Sequence, residues 1–291
     1  MHELAASGTV AFIGLGAMGT PMAARLVEAG ARVRAYDVAE KARSALRQVG
    51  AESCATAAEA ASEAQLVILM LPNSDIVENV VEQIHPVLQD GALVIDMSSS
   101  EPLRTRALAE RLAPKVSLVD APVSGGVVGA RNGQLTIMVG GEPDQIDRIR
   151  DLMSVLGTLK VAGGVGAGHA VKALNNLLSA THLWVTSEAM TAGQQFGVDP
   201  EAMLEIFNGS SGRSGSTENK WPNFILPGTY NSGFALALML KDMRIATELA
   251  RDVGLPSRLG ETAVERWADA AAGLPANADH TEVARWISES P

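Results

Sequence analysis

From Thr9 to about Val161 the chain alternates short apolar runs with amphipathic stretches, and few architectures accommodate that alternation. The runs cover residues 10–13, 32–36, 66–71, 93–96, 117–119, 135–139 and 159–161. The stretches between them include 18–29, 40–49, 75–88, 102–112 and 143–156, several opening on an acid, a proline or a serine as helix starts do. Strand and helix repeated in this order predict an α/β protein with a wound, mostly parallel sheet. After Gly163-Gly164-Val165-Gly166 the pattern changes: residues 167–196 run without a proline at helical apolar spacing for roughly eight turns. Further helical periods follow at 200–207, 236–253, 258–272 and 281–288, interrupted by 208–233, which is rich in Gly, Ser, Asn and Pro and reads as a functional or mobile loop. The expected organisation is a doubly wound domain over 1–165, a long inter-domain helix over 166–195 and an all-α domain over 196–291.

A length of 291 residues with 47% hydrophobic content suffices for two cores, and a net charge of −10 repels a phosphate backbone, so nucleic-acid binding is not expected. The single cysteine, Cys54, cannot form an intrachain disulfide, and no Cys/His spacing suits a zinc site. Residues 1–8 are too short and polar for a signal peptide, and no apolar run approaches the ~18 residues that span a bilayer. These features predict a cytoplasmic protein with no membrane partner.

Val10-Ala11-Phe12-Ile13-Gly14-Leu15-Gly16-Ala17-Met18-Gly19 is an apolar run that feeds a GxGxxG and then a helix. Gly14 makes the tight turn, Gly16 lets backbone approach a pyrophosphate, and Gly19 lets helix and strand pack closely, with the helix N-terminus facing the anion. Asp37 ends the next run 18 residues after Gly19, about the separation from which a carboxylate reaches adenosine ribose hydroxyls. A carboxylate there repels a 2′-phosphate, and Val38 stands where an NADP site would place an arginine, so NAD is expected over NADP, with Lys41 and Arg43 near enough to soften the preference. Leu71-Pro72 and Asp96-Met97-Ser98-Ser99 close two further runs, at the sheet edge where ligands of wound folds sit.

Asp120-Ala121-Pro122-Val123-Ser124-Gly125-Gly126 follows another run. Ser124 and the two glycines offer hydroxyl and backbone N–H donors suited to a carboxylate, although a glycine turn with no ligand fits the same residues. Lys172 lies near the start of the long helix with Asn176 four residues on, so both project from one face among Ala170, Val171, Ala173, Leu174 and Leu177. Partial burial lowers a lysine's pKa toward the general acid/base range; a solvated lysine whose stem covers the helix is the alternative.

Gly14-Leu15-Gly16-Ala17-Met18-Gly19-Thr20-Pro21-Met22-Ala23, the 120–126 segment, Gly166-Ala167-Gly168-His169-Ala170-Val171-Lys172-Ala173-Leu174-Asn175-Asn176 and Lys241-Asp242 together resemble the β-hydroxyacid dehydrogenase family. That family includes 3-hydroxyisobutyrate dehydrogenase, tartronate semialdehyde (2-hydroxy-3-oxopropionate) reductase and, more distantly, 6-phosphogluconate dehydrogenase. The resemblance runs through nearly the whole chain. It implies a Rossmann domain binding NAD(P), a long connecting helix and an all-α domain that binds substrate and supplies the contact of a homodimer or homotetramer. It also implies hydride transfer between a small β-hydroxy acid and its aldehyde or keto acid. Lys172 matches the family's catalytic general acid/base and Asn176 its substrate-positioning asparagine. Ser124, Gly125 and Gly126 match the substrate-carboxylate loop. Leu71, Pro72, Ser99 and Lys241 match cofactor contacts beside Gly14, Leu15, Gly16, Ala17, Met18, Gly19 and Asp37. Ser99 stands where many members carry Thr, and Ile76 where some carry a cofactor-contacting Asn. By the same resemblance the loop 209–221 faces the cleft, with Trp221 as a substrate contact and with Arg213 and Lys220 offering charge to a second anion such as a sulfonate.

Two other readings use the same fold: an imine reductase, for which a different residue would be expected at position 172, and a non-catalytic dinucleotide-binding module, which would lack the lysine. His2, His85, His169, His182 and His280 have no metal spacing, and His169, three residues before Lys172, is the one worth testing. Met18, Met22, Met70, Met97 and Met138 are expected to fill gaps in the core.

Overall fold

A computed structural model describes residues 8–289. They divide into two compact units whose boundary falls directly after Lys172, inside the longest helix. His2 lies outside the described residues.

The first unit runs β1 (Thr9–Ile13), α1 (Gly19–Glu28), β2 (Arg32–Tyr36), α2 (Glu40–Gln48), β3 (Glu52–Ser53), α3 (Ala57–Ala61), β4 (Leu66–Leu69), α4 (Ser74–Ile84), β5 (Leu93–Asp96), α5 (Pro102–Leu112) and β6 (Ser117–Asp120). It continues through β7 (Val123–Ser124), α6 (Gly126–Asn132), β8 (Leu135–Gly140), α7 (Pro143–Ser154) and β9 (Gly157–Gly163) into the start of α8 (Ala167–Phe196). Strands β3-β2-β1-β4-β5-β6 lie side by side and parallel. β8 then pairs antiparallel with the end of β6 at Asp120↔Gly140 and with β7, and parallel with β9. The chain reverses from β1–β2–β3 to β4 across β1, which creates the switch point beside which wound sheets bind ligands.

The strands read as unbroken apolar runs because both faces are covered. β1 sends Val10 and Phe12 to one face and Ala11 and Ile13 to the other, and β4 likewise divides Leu66 and Ile68 from Val67 and Leu69. On the first face α1 (Met22, Ala23, Leu26) and α7 (Ile146, Ile149, Leu152, Met153) close the core; on the second, α3, α4 (Val77, Val81, Ile84) and α5 (Leu108, Leu112) do. Full burial of each such Leu, Ile or Val contributes ~1.5–3 kcal/mol. Helix starts carry the expected signals: Asn73 Oδ1 accepts from the Ile76 amide at 3.0 Å, Thr56 Oγ1 from that of Glu59 at 3.0 Å, and Glu142 and Gln145 cap α7 reciprocally ahead of Pro143.

The second unit contains the rest of α8, α9 (Pro200–Asn208), α10 (Leu236–Asp252), α11 (Arg258–Gly273) and α12 (Val283–Glu289). Its core joins Leu183 and Met190 of α8 to Met203, Met243, Trp267 and Val283, one from each of the other helices. Within 208–233, expected to be loop throughout, Ser216–Ile225 instead forms a π-helical segment with Pro222 inside it. Pro222 lacks the N–H that an α-helix would use, and the polar composition hides Trp221 and Ile225, four residues apart and both buried. Ser214 starts the segment, its hydroxyl accepting from the Ser216 and Thr217 amides at 3.2 and 3.3 Å. The sequence also gave no sign of β3, α3, β7 or α6, which are too short to show a period. Met22 and Met97 are fully buried; Met18, Met70 and Met138 are partly so.

Candidate active site

The glycine turn after β1 has the geometry its sequence requires. Gly14 sits at φ 100°, its amide donates to the Tyr36 carbonyl at 2.9 Å, and a Cβ there would fall 2.2 Å from the Met70 carbonyl oxygen. A Cβ on Gly19 would fall 1.9 Å from the Gly14 carbonyl oxygen, so helix and turn touch through backbone. A Cβ on Gly16 would meet no atom of the described residues within 4 Å, so the turn is open on the side where a pyrophosphate would lie. α1 begins there with no side-chain cap and no acid in its first turn, leaving its amides and the positive end of its dipole available to an anion. Leu15 is buried, and Ala17 and Met18 complete the turn.

Asp37 follows β2. Its Oδ2 accepts from the Leu15 amide at 2.6 Å and its Oδ1 from the Ala39 amide at 2.8 Å, so the carboxylate braces the glycine turn. Arg43, the nearest arginine, is held by the Asp37 carbonyl and the Glu40 carboxylate and lies over the Tyr36 ring at 5.8 Å. Val38 is 86% exposed.

The parallel strands deliver two more loops to the same edge. β4 ends at Leu69, two residues earlier than the apolar run suggests: the Met70 amide makes a last bond to the Ile13 carbonyl at 2.9 Å, and the Leu71 amide turns away to donate to Ser98 Oγ at 2.9 Å. Pro72 is exposed and Ser99 partly so. The Ser98 amide donates to Asp96 Oδ1 at 2.9 Å and the Ser100 hydroxyl to Asp96 Oδ2 at 2.7 Å, which shapes the loop carrying Ser99. Ile76 is exposed on α4. Ser124 pairs with Thr136 of β8, and Gly125 and Gly126, both at positive φ, turn the chain into α6.

Lys172 lies in the second turn of α8 and is 8% exposed. The start of that helix is fixed by residues that sequence patterning left without roles. Asp120, buried at the end of β6, accepts from the Gly166 amide at 2.6 Å and the His169 amide at 2.8 Å. Burial pushes the Asp120 carboxyl up, opposed by His169 and by these two amides. No periodicity could have revealed this cap, since donor and acceptor are 46 and 49 residues apart.

In the second unit Asn176 is buried one turn further along α8, and its Nδ2 donates to Asp242 Oδ2 at 2.6 Å. Lys241 Nζ lies 3.3 Å from Asp242 Oδ1. Asp242, whose place in the sequence motif implied no role of its own, is therefore the group that orients Asn176. Trp221 is buried in the helical core, with no hydrogen-bond partner for its indole N–H among the described residues. Arg213 is engaged by Glu218 at 2.7 Å, and burial pushes the Lys220 ammonium down against the opposing pull of Asp279. Among the described residues no group of three His, Cys, Asp or Glu could hold a metal ion, and no helix is long and apolar enough to cross a membrane.

A doubly wound sheet with an open glycine turn, an uncapped helix behind it and an acid after β2 defines a Rossmann-type dinucleotide-binding fold. Residues 9–187 match the family model for the NAD binding domain of 6-phosphogluconate dehydrogenase, and residues 166–287 that for the NAD-binding of NADP-dependent 3-hydroxyisobutyrate dehydrogenase. The chain is 40% identical to 2-(hydroxymethyl)glutarate dehydrogenase of Eubacterium barkeri over 85% of its own length and 84% of that protein's. It is 34% identical to 3-sulfolactaldehyde reductase of Escherichia coli over 90% of each. The solved structure of Mycobacterium tuberculosis 3-hydroxyisobutyrate dehydrogenase with L-serine superposes with a TM-score of 0.91 at 31% identity, covering 96% of this chain and 99% of that one. The chain belongs to the β-hydroxyacid dehydrogenase family, as its motifs led one to expect. It is an NAD(P)-binding oxidoreductase of that type, acting on hydroxyl groups.

Proposed function

We propose that the chain interconverts a small β-hydroxy acid and its aldehyde or keto acid, with NAD preferred over NADP. The observation that carries this reading is Lys172: an amine buried in the second turn of a helix whose start is fixed, with Asn176 one turn on. When bound, the nicotinamide dinucleotide supplies the hydride acceptor or donor. Lys172 takes the hydroxyl proton in oxidation and returns it in reduction. Asn176, oriented by Asp242, positions the substrate, and Ser124 with the amides of Gly125 and Gly126 holds its carboxylate. Trp221 is proposed as a substrate contact. Leu15, Ala17, Met18, Leu71, Pro72, Ser99 and Lys241 are proposed to contact the cofactor beside the three glycines.

The named substrates of the relatives are small acids bearing hydroxyl or aldehyde groups, one dicarboxylic and one a sulfonate, which supports a polar acid as readily as 3-hydroxyisobutyrate. NAD preference is supported by the Asp37 carboxylate, by exposed Val38 beside it, and by the commitment of Arg43 to other groups. The proposed organisation is a wound domain over 1–165, a linking helix over 166–195 and an all-α domain over 196–291 that supplies substrate and subunit contacts.

The test is initial rates with NAD⁺ and NADP⁺ over 3-hydroxyisobutyrate, 2-(hydroxymethyl)glutarate, glycerate, threonate, serine and hydroxysulfonates, wild type beside Lys172→Ala. The expected loss in kcat is roughly 10²–10⁴-fold. A loss under about tenfold removes the lysine from the mechanism, and silence across the panel with NADH still bound removes the substrate class.

A further inference from the structure

At the start of α8 one buried imidazole stands between two buried carboxylates. The His169 ring is fully buried, with Nε2 3.8 Å from Asp96 Oδ2 and Nδ1 3.9 Å from Asp120 Oδ2. Its direct partners are neutral: Nε2 lies 3.1 Å from the Ser98 carbonyl oxygen and Nδ1 2.8 Å from Thr105 Oγ1. A carbonyl only accepts, so Nε2 carries a proton and donates to Ser98. In the neutral ring Nδ1 then accepts from the Thr105 hydroxyl. That hydroxyl also lies 3.1 Å from the Glu101 carbonyl oxygen.

These bonds join three pieces of chain. Ser98 belongs to the loop after β5, and its hydroxyl accepts the Leu71 amide at 2.9 Å, so one residue ties both loops proposed to hold the cofactor. Thr105 lies in the first turn of α5. His169 lies in the first turn of α8, where its own amide is held by Asp120, the residue that opens the Ser124 loop. Backbone packing leaves the joint no slack, since a Cβ on Gly168 would fall 2.2 Å from the Met138 carbonyl oxygen and 2.8 Å from Asp120 Oδ2. Lys172 is one helical turn beyond this joint.

We infer that His169 is a positioning residue for the reaction: its ring, clamped between Ser98 and Thr105, sets the root of Lys172 against the cofactor-side loops. The inference rests on the acid/base reading of Lys172. Its chemistry is that of a fixed strut, with no proton passed to substrate. Misplacing a reacting group by about 1 Å costs up to about 10²-fold in rate even when every group is present, so the loss belongs in kcat.

The experiment compares His169→Leu, His169→Gln and Thr105→Val with wild type and Lys172→Ala, using 3-hydroxyisobutyrate and 2-(hydroxymethyl)glutarate with NAD⁺, and NADH fluorescence to count binding sites. The expected result is a kcat per bound site lowered about 10–100-fold in His169→Leu, with the NADH Kd and substrate KM each within about threefold of wild type. His169→Gln, whose amide can donate to Ser98 and accept from Thr105, should regain most of the loss. Thr105→Val, which keeps shape and removes one partner, should lose several-fold, and it serves if His169→Leu does not fold. A kcat per bound site within twofold of wild type in both His169→Leu and Thr105→Val overturns the inference, as does a loss matched by the fall in binding sites and not rescued by Gln. If Lys172→Ala keeps its rate, or wild type is inert on both substrates, the functional reading fails first; if Lys172→Ala is inactive and His169→Leu is not, the strut alone fails.

Discussion

Two tasks are proposed for the one carboxylate of Asp37. Its oxygens hold the Leu15 and Ala39 amides, and its charge is proposed to repel a ribose 2′-phosphate. The two tasks separate in part on substitution. Asp37→Asn removes the charge and keeps one of the two acceptors, setting its NH2 against the other backbone amide, so the ratio of kcat/KM for NAD⁺ over NADP⁺ should fall about tenfold or more with a modest drop in melting temperature. Asp37→Ala should lower that ratio and also loosen the turn, costing roughly 1 kcal/mol for the lost hydrogen bonds. An unchanged ratio in both variants would dismiss electrostatic selection at this position. The spacing of Asp37 from the glycines made it visible in sequence, because a local motif fixes it. Asp120, Thr105 and Asp242 were not visible as participants, since each acts on a partner that only folding brings near; Asp96 bonds serines two and four residues on, and an acid at a strand end has many ordinary explanations.

At the scale of elements, the strands and long helices were legible because each must bury one face or both, and burial writes a period into the sequence. The 30-residue α8 fills the proline-free run 167–196, one residue displaced from the 166–195 expected of the linking helix. The π-helical segment was not, because Pro222 and a run of polar residues imitate a loop and its two anchors are too few to show a period. Beyond that segment, the turn at 232–234 is tied down by Asp279, which accepts from the Ser232 hydroxyl, the Gly233 and Phe234 amides, and the Thr281 amide and hydroxyl. Burial pushes the Asp279 carboxyl up, but the hydrogen bonds from His280, Thr281 and Ser232 outweigh it and hold the group well below its ordinary 3.8. A depressed folded value stabilises the fold above the unfolded value, and that contribution is lost as pH falls from about 3.8 toward the folded one. Asp279→Asn should therefore melt below wild type at pH 6, with a gap that narrows steadily as pH drops past 3.8. A gap of constant size down to pH 2.5 would refute the assignment.

For the whole molecule, the second unit displays a stripe that its own core does not cover. Leu174, Leu178 and Val185 are 41–59% exposed along α8 at spacings of four and seven residues, a seam that a second copy of the chain would bury. This supports the proposed homodimer or homotetramer. Leu178→Glu should shift the chain toward monomer in light scattering at micromolar concentration, while an unchanged mass would locate the subunit contact elsewhere. Cys54 has a different use. It is the chain's single sulfhydryl, fully enclosed behind the sheet, and burial pushes its thiol up, so a thiol reagent cannot reach it in the closed fold. Each capture of that sulfur therefore records one opening of the chain around the end of edge strand β3, and the capture rate becomes a clock for that local breathing. A nucleotide that binds only the closed form slows the clock by the factor 1 + [L]/Kd. The native protein thus carries an unlabelled gauge of cofactor affinity that runs without any substrate.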